Sequence, residues 1–114
     1  MKLNEYQELA REYDTFADQS SEATNPAMMA KILGLAGETG EVCEKFKKIL
    51  RDKDGMISEE DKADMTKELG DVLWYLATIG RYLNIDLEAI AEINIDKLKS
   101  RKARNKLTGN GDNR

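Results

Sequence analysis

The sequence predicts an all-α protein, an antiparallel helical bundle of about four helices per chain. Three observations carry this. The residue mix is rich in Leu, Ile, Ala, Glu and Lys, which favour helix, and it holds one proline, Pro26. Apolar residues recur at spacings of three and four in successive stretches, and no stretch alternates with the period of two that a strand needs. At 114 residues the chain has the size of one domain, long enough to bury roughly two thirds of its unfolded surface.

Leu3, Tyr6, Leu9, Tyr13 and Phe16 mark a first helix from Leu3 to about Phe16. Residues 18–25 read as a polar loop. Asn25 followed by Pro26 is an N-cap and a proline at the first helical position. The second helix runs to about Arg51 on a stripe of Ile32, Leu35, Val42, Phe46 and Ile49, which Thr39 interrupts. Asp52-Lys53-Asp54-Gly55 is a turn signal. Ser58 caps the third helix, with Asp61 completing a capping box. Its stripe is Met65, Leu69, Val72, Leu76, Ile79 and Leu83. Asn84-Ile85-Asp86 is the next break, with Asp86 as N-cap. The fourth helix carries Leu87, Ile90, Ile93 (or Asn94), Lys97, Leu98 and Arg101. Residues 1–106 thus form one domain, and the glycine-rich residues 107–114 a tail without regular structure.

Composition removes several chemistries. Histidine is absent, which excludes an imidazole zinc site, a Ser-His triad and a Glu-x-x-His di-iron bundle. Proton transfer is left to carboxylates, lysines, tyrosines or water. The one cysteine, Cys43, allows no intramolecular disulfide, points to the cytosol and reads as a buried structural thiol. No apolar run has the length of a membrane span or the form of a signal peptide. Net charge is −4, yet residues 96–106 hold six cations against Asp96 alone. A short basic run without interleaved aromatics, on an acidic protein, fits a small anion better than a nucleic-acid polymer. Standing alone it would be an ordinary solvated helix face.

Two segments nearly repeat each other: Glu38-Thr39-Gly40-Glu41-Val42 and Glu68-Leu69-Gly70-Asp71-Val72. Each sets two carboxylates at i and i+3, about 60° apart around a helix. Glu38 with Asp71, and Glu41 with Glu68, share the midpoint 54.5, inside the turn signal. An antiparallel hairpin folded there brings all four acids to one height. Four like charges at one level require a cation between them. Oxygen-only donors select a hard one, Mg²⁺ with Mn²⁺ as substitute. Helix surfaces are full of acids, and a single ExxE carries no information. The duplication and the common midpoint are what surface decoration does not predict. Gly34, Gly37, Gly40 and Gly70 all fall inside helices, each costing about 1 kcal/mol relative to alanine. Such a bare strip serves close helix approach or leaves room for a ligand.

Leu33-Gly34-Leu35-Ala36-Gly37-Glu38-Thr39-Gly40-Glu41, then Lys67-Glu68-Leu69-Gly70-Asp71-Val72-Leu73-Trp74-Tyr75, then Asn94-x-x-Lys97-Leu98-x-x-Arg101, resembles the MazG-like nucleoside triphosphate pyrophosphohydrolases of the all-α NTP-pyrophosphatase superfamily. The likeness covers about residues 28–104 and, more weakly, the end Gly109-Asn110-Gly111-Asp112-Asn113-Arg114. It implies an all-α fold, Mg²⁺ held by Glu38, Glu41, Glu68 and Asp71, and hydrolysis of (deoxy)nucleoside triphosphates to monophosphate and pyrophosphate. It implies a homodimer or homotetramer with sites completed across subunits, and nucleotide-pool house-cleaning as the role. By motif position Lys97 and Arg101 contact phosphates, with Asn94 as a further polar contact. Asp64 stands where some relatives carry a basic residue, and Gly37 where some carry a second glutamate, so base choice does not transfer.

In this reading Glu38 and Glu41 are the catalytic acids, with Glu41 orienting or deprotonating the attacking water. Trp74 and Tyr75, one turn beyond Asp71, either stack on a base or pack an interface. The tail with Arg114 either folds over the site or is an unordered terminus. Two rival functions remain at this level: a pyrophosphohydrolase of another nucleotide such as phosphoribosyl-ATP, and a non-catalytic helical dimerisation module.

Overall fold

The computed structural model describes residues 1–16 and 25–114, and every regular element within them is helical. In order these are α1 (Leu3–Ala10), one 3-10 turn (Arg11–Tyr13), α2 (Pro26–Asp52), α3 (Glu59–Tyr82) and α4 (Leu87–Ala103). The polar loop expected at 18–25 lies outside the described residues except for Asn25.

The α2–α3 hairpin forms as the sequence dictates. Asn25 Oδ1 accepts the Met28 N–H at 2.8 Å, and Pro26 opens α2. Asp54 and Gly55 turn the chain with φ of 50° and 76°, the left-handed region that favours glycine. At the start of α3 the Ser58 hydroxyl accepts the Asp61 N–H, and the Asp61 carboxylate accepts the Ser58 N–H. Lys53 reaches the same carboxylate at 2.7 Å, fastening the turn to the helix behind it. That ammonium, followed by the Ser58 donors, holds the Asp61 carboxyl down to about 2.

Two boundaries differ from expectation. α1 ends at Ala10 instead of about Phe16. The chain leaves helical geometry at Asp14, whose carboxylate is drawn inward between Lys31 (2.8 Å), Arg81 (2.6 Å) and the Tyr82 hydroxyl (2.8 Å). Asp86 occupies the N-cap position of α4 but makes no capping bond. The first N–H groups of α4 are taken by α1 instead: Leu87 donates to Gln7 Oε1 at 3.0 Å and Glu88 to Asn4 Oδ1 at 3.1 Å. Gln7 also donates to the Ala77 and Ile85 carbonyls, so one buried amide ties α1, α3 and α4. Gly80 makes room for it, since a Cβ there would sit 3.0 Å from the Ile85 carbonyl oxygen.

The core is small: Ala10, Ala27, Met28, Ile49, Ala77 and Leu87. Much of both stripes stays uncovered, with Ile32, Phe46, Leu69, Leu76 and Leu83 exposed. The Cα radius of gyration is 17.0 Å, against roughly 13 Å for a compact chain of this length. An open apolar groove of 780 Å³ runs between the C-terminal half of α2 and the N-terminal half of α3, lined by Val42, Cys43, Phe46, Leu50, Met65 and Leu69 among others. Cys43 is therefore exposed and not buried as the sequence led one to expect, because it lies on this uncovered side.

Candidate functional site

The hairpin register brings three of the four predicted ligands together. Carboxylate oxygens of Glu38 from α2 and of Glu68 and Asp71 from α3 all lie within 4.8 Å of one another. Glu38 and Glu68 are half-buried and Asp71 is exposed. Glu41 stands one turn further along α2, exposed and outside this trio. Burial pushes the Glu38 carboxyl above its usual range, and the charges of Asp71, Glu68 and Glu41 push it the same way.

The donor set fits a hard divalent ion. Three oxygens from three residues converge, with no nitrogen or sulfur among them. Metal–oxygen bonds of about 2.0–2.6 Å would span about 4–5 Å across such an ion, close to the spacing present. Among the described residues one cation pairs with any of the four acids: Lys45 from α2, whose Nζ lies 3.3 Å from Glu68 Oε1. Glu41 stands four residues before Lys45, the spacing of an ordinary helix ion pair, but the side chain crosses to α3 instead. Tyr6 lies on the apolar stripe of α1. Burial raises its phenol, and the Asp71 charge raises it further, so α1 brings a hydroxyl into the field of the trio.

The glycines divide. A Cβ on Gly34 would run into the Tyr75 ring, so Gly34 is the close-approach point of α2 and α3. Gly37, Gly40 and Gly70 face open space. Tyr75 is thus seated against α2 one turn from the trio. Trp74 turns to α1, where its indole N–H donates to the Ala10 carbonyl at 3.1 Å, and its ring meets Tyr75 edge-on at 5.0 Å.

Asn94 is exposed on α4. Lys97 and Arg101 are engaged by the chain's own tail. Lys97 Nζ lies 3.2 Å from Asp112 Oδ1. Arg101, 5% exposed, donates through Nη2 to the Asp112 carbonyl (2.8 Å) and approaches its carboxylate at 3.3 Å. Arg104 holds the Arg114 carbonyl at 2.7 Å, and Arg114 donates back to Lys106 and Leu107. Residues 107–114 are therefore a string of turns folded on α4. Neither Lys97 nor Arg101 pairs with the four acids within the chain.

Comparison with known proteins matches residues 25–105 to the model of the MazG nucleotide pyrophosphohydrolase domain. That range spans α2, α3 and α4, and with them Glu38, Glu41, Lys45, Glu68, Asp71, Lys97 and Arg101. The chain is also similar to the Gene 37 protein of Mycobacterium phage L5, 50% identical over 82 residues, 72% of each chain. No solved structure was found to match it. No helix among the described residues is long and apolar enough to cross a membrane.

Proposed function

Because this chain belongs to the MazG nucleotide pyrophosphohydrolase family, we propose that it hydrolyses (deoxy)nucleoside triphosphates to the monophosphate and pyrophosphate, with Mg²⁺ as cofactor. The observation that carries the reading is the convergence of Glu38, Glu68 and Asp71 within 4.8 Å. These three, with Glu41 a turn away, would hold the metal. Bound there, a divalent cation neutralises phosphate charge, polarises the phosphoryl group and lowers the pKa of a bound water.

The chain's own groups supply the remainder. Glu41 lies outside the trio and has no ion-pair partner among the described residues. It is the acid proposed to orient a water and accept its proton. The water oxygen bonds to the α-phosphorus, the bond from that phosphorus to the bridging oxygen breaks, and pyrophosphate leaves with that electron pair. Lys97 and Arg101 are proposed to bind the phosphates, exchanging the Asp112 carboxylate for phosphate oxygens. Since neither pairs with the acids of its own chain, they are proposed to act across a subunit boundary. The uncovered stripe residues support a homodimer or homotetramer. Tyr75, seated one turn from the trio, is the aromatic proposed to meet the base, while Trp74 is occupied with α1. The proposed role is house-cleaning of the nucleotide pool in the cytoplasm.

A Mg²⁺-dependent hydrolysis panel over all NTPs and dNTPs, with products resolved, tests this. Monophosphate and pyrophosphate, lost in Glu68→Gln, are expected. Turnover of phosphoribosyl-ATP alone would move the substrate class. Absence of both turnover and Mg²⁺ binding would refute the enzyme and leave a helical dimerisation module.

A further inference from the structure

Lys45 reaches out of α2, across the hairpin, to the edge of the carboxylate trio. Its Nζ lies 3.3 Å from Glu68 Oε1, with the two side chains 35% and 18% exposed. Glu68 is at the same time one of the three acids whose oxygens converge. Its own helix offers two glutamates close in sequence. Glu41 stands one turn before it and is exposed and unpaired, while Glu44 is taken by Lys47 and Lys48. The ammonium goes to the place where negative charge is densest. Lys45 also borders a cleft of 240 Å³ that none of the trio lines, where Asp52, Asp61 and Asp64 stand beside Lys48 and Lys53. A displaced ammonium has room there without unfolding the helix.

We infer that Lys45 is the built-in counter-ion of this site: it holds Glu68 when no metal is bound, competes with the metal for that carboxylate, and so sets the metal concentration at which the site fills. This rests on the metal-binding reading given above. A cation bound by the trio must repel an ammonium 3.3 Å from one of its ligands, so filling the site requires Lys45 to move into the cleft. Lys45 is then a positioning residue, acting on substrate chemistry only through Glu68.

The test is Mn²⁺ binding to the full-length, nucleotide-free protein, followed by electron paramagnetic resonance, in wild type, Lys45→Met and Lys45→Arg. Lys45→Met is expected to lower the Kd for Mn²⁺ by roughly three- to tenfold, the range of a partly exposed charge pair. Lys45→Arg, which keeps the charge, is expected to stay within about twofold of wild type. Without metal, Lys45→Met is expected to melt below wild type, and saturating Mn²⁺ should close that gap. A merely structural ion pair would lower the melting temperature equally with and without Mn²⁺, with Kd unchanged or raised, and that result overturns the assignment. Tight binding by wild type with unchanged Kd in Lys45→Met overturns Lys45 alone. No Mn²⁺ bound by any of the three proteins overturns the metal site together with it.

Discussion

Four glycines inside the two central helices give the sharpest stability test, because identical substitutions have opposite expected signs. A Cβ on Gly34 would enter the space of the Tyr75 ring, while one on Gly37, Gly40 or Gly70 meets nothing within 4 Å. Replacing glycine by alanine in a helix interior gains about 1 kcal/mol from reduced backbone freedom in the unfolded chain. Gly37→Ala, Gly40→Ala and Gly70→Ala should each show up to that gain. At Gly34 the gain is set against overpacking, about 1–3 kcal/mol when a ring must leave its rotamer or two helices must part. Tyr75 is half-buried between α2 and Trp74, so it has little freedom to yield. The net expectation for Gly34→Ala is a loss of up to about 2 kcal/mol. At roughly 4 °C per kcal/mol the four melting temperatures separate by several degrees about wild type, readable by circular dichroism. If all four variants shift the same way, Tyr75 is not seated against Gly34 and the hairpin contact described here is wrong. If Gly37→Ala and Gly40→Ala gain stability and lose turnover, the open strip is used by a substrate or a second chain.

Changing Glu38, Glu68 or Asp71 to its amide should abolish hydrolysis with circular dichroism unchanged, and near-wild-type rates in all three would refute the site. Mg²⁺ should raise the melting temperature, by about 2.7 kcal/mol of stability at a hundred times its Kd, and a chelator should reverse this. The raised carboxyl of Glu38 means that the folded chain holds its proton more tightly than the unfolded chain. Its contribution to metal-free stability therefore improves as pH falls from 7 toward the usual glutamate range, and Mg²⁺ at pH 7 should remove that gain; melts in chelator and in Mg²⁺ between pH 5 and 7 read it. Asp61 and Asp14 carry the opposite sign. Lys53 and Ser58 hold Asp61 at about 2, and at Asp14 burial is outweighed by Lys31, Tyr82 and Arg81, so both stabilise above the ordinary aspartate range and fail below it. Stability should accordingly drop steeply between pH 4 and 2. Asp14→Asn strands a buried ammonium and should cost about 3 kcal/mol by urea denaturation.

The fold was legible where the signal is local. Asn25-Pro26, Ser58 with Asp61 and Asp54-Gly55 each fix a helix end through bonds within a few residues, and all three stand as read. The register of Glu38 against Asp71 was legible because two helices joined by a short turn have one free parameter, the midpoint. What stayed hidden depends on partners far along the chain. Asp14 looks like any polar residue near a helix end until Lys31 and Arg81 close on it from two other helices. The cap of α4 lies some 80 residues upstream in Gln7, and Asp86, the locally correct residue, is left without that task. Stripes too were right as faces and silent about cover, since nothing in Phe46 or Leu69 tells whether the same chain or another buries it.

Lys45 shows how the local rule loses. An exposed Glu–Lys pair at i and i+4 contributes about 0.3–0.5 kcal/mol, and Glu41 offers Lys45 that much. Across the hairpin Glu68 offers one carboxylate and the field of Glu38 and Asp71 beside it, in a half-buried place where screening by water is weaker. Three clustered charges, two of them half-buried, outweigh one solvated charge, so the ammonium leaves its own helix. Sequence spacing holds the first quantity and not the second, because the second exists only after the hairpin has closed. A site built from repelling carboxylates therefore draws to itself a flexible cation from the neighbouring helix. The residue most easily dismissed as surface decoration in the sequence is then the one that competes with the metal for Glu68.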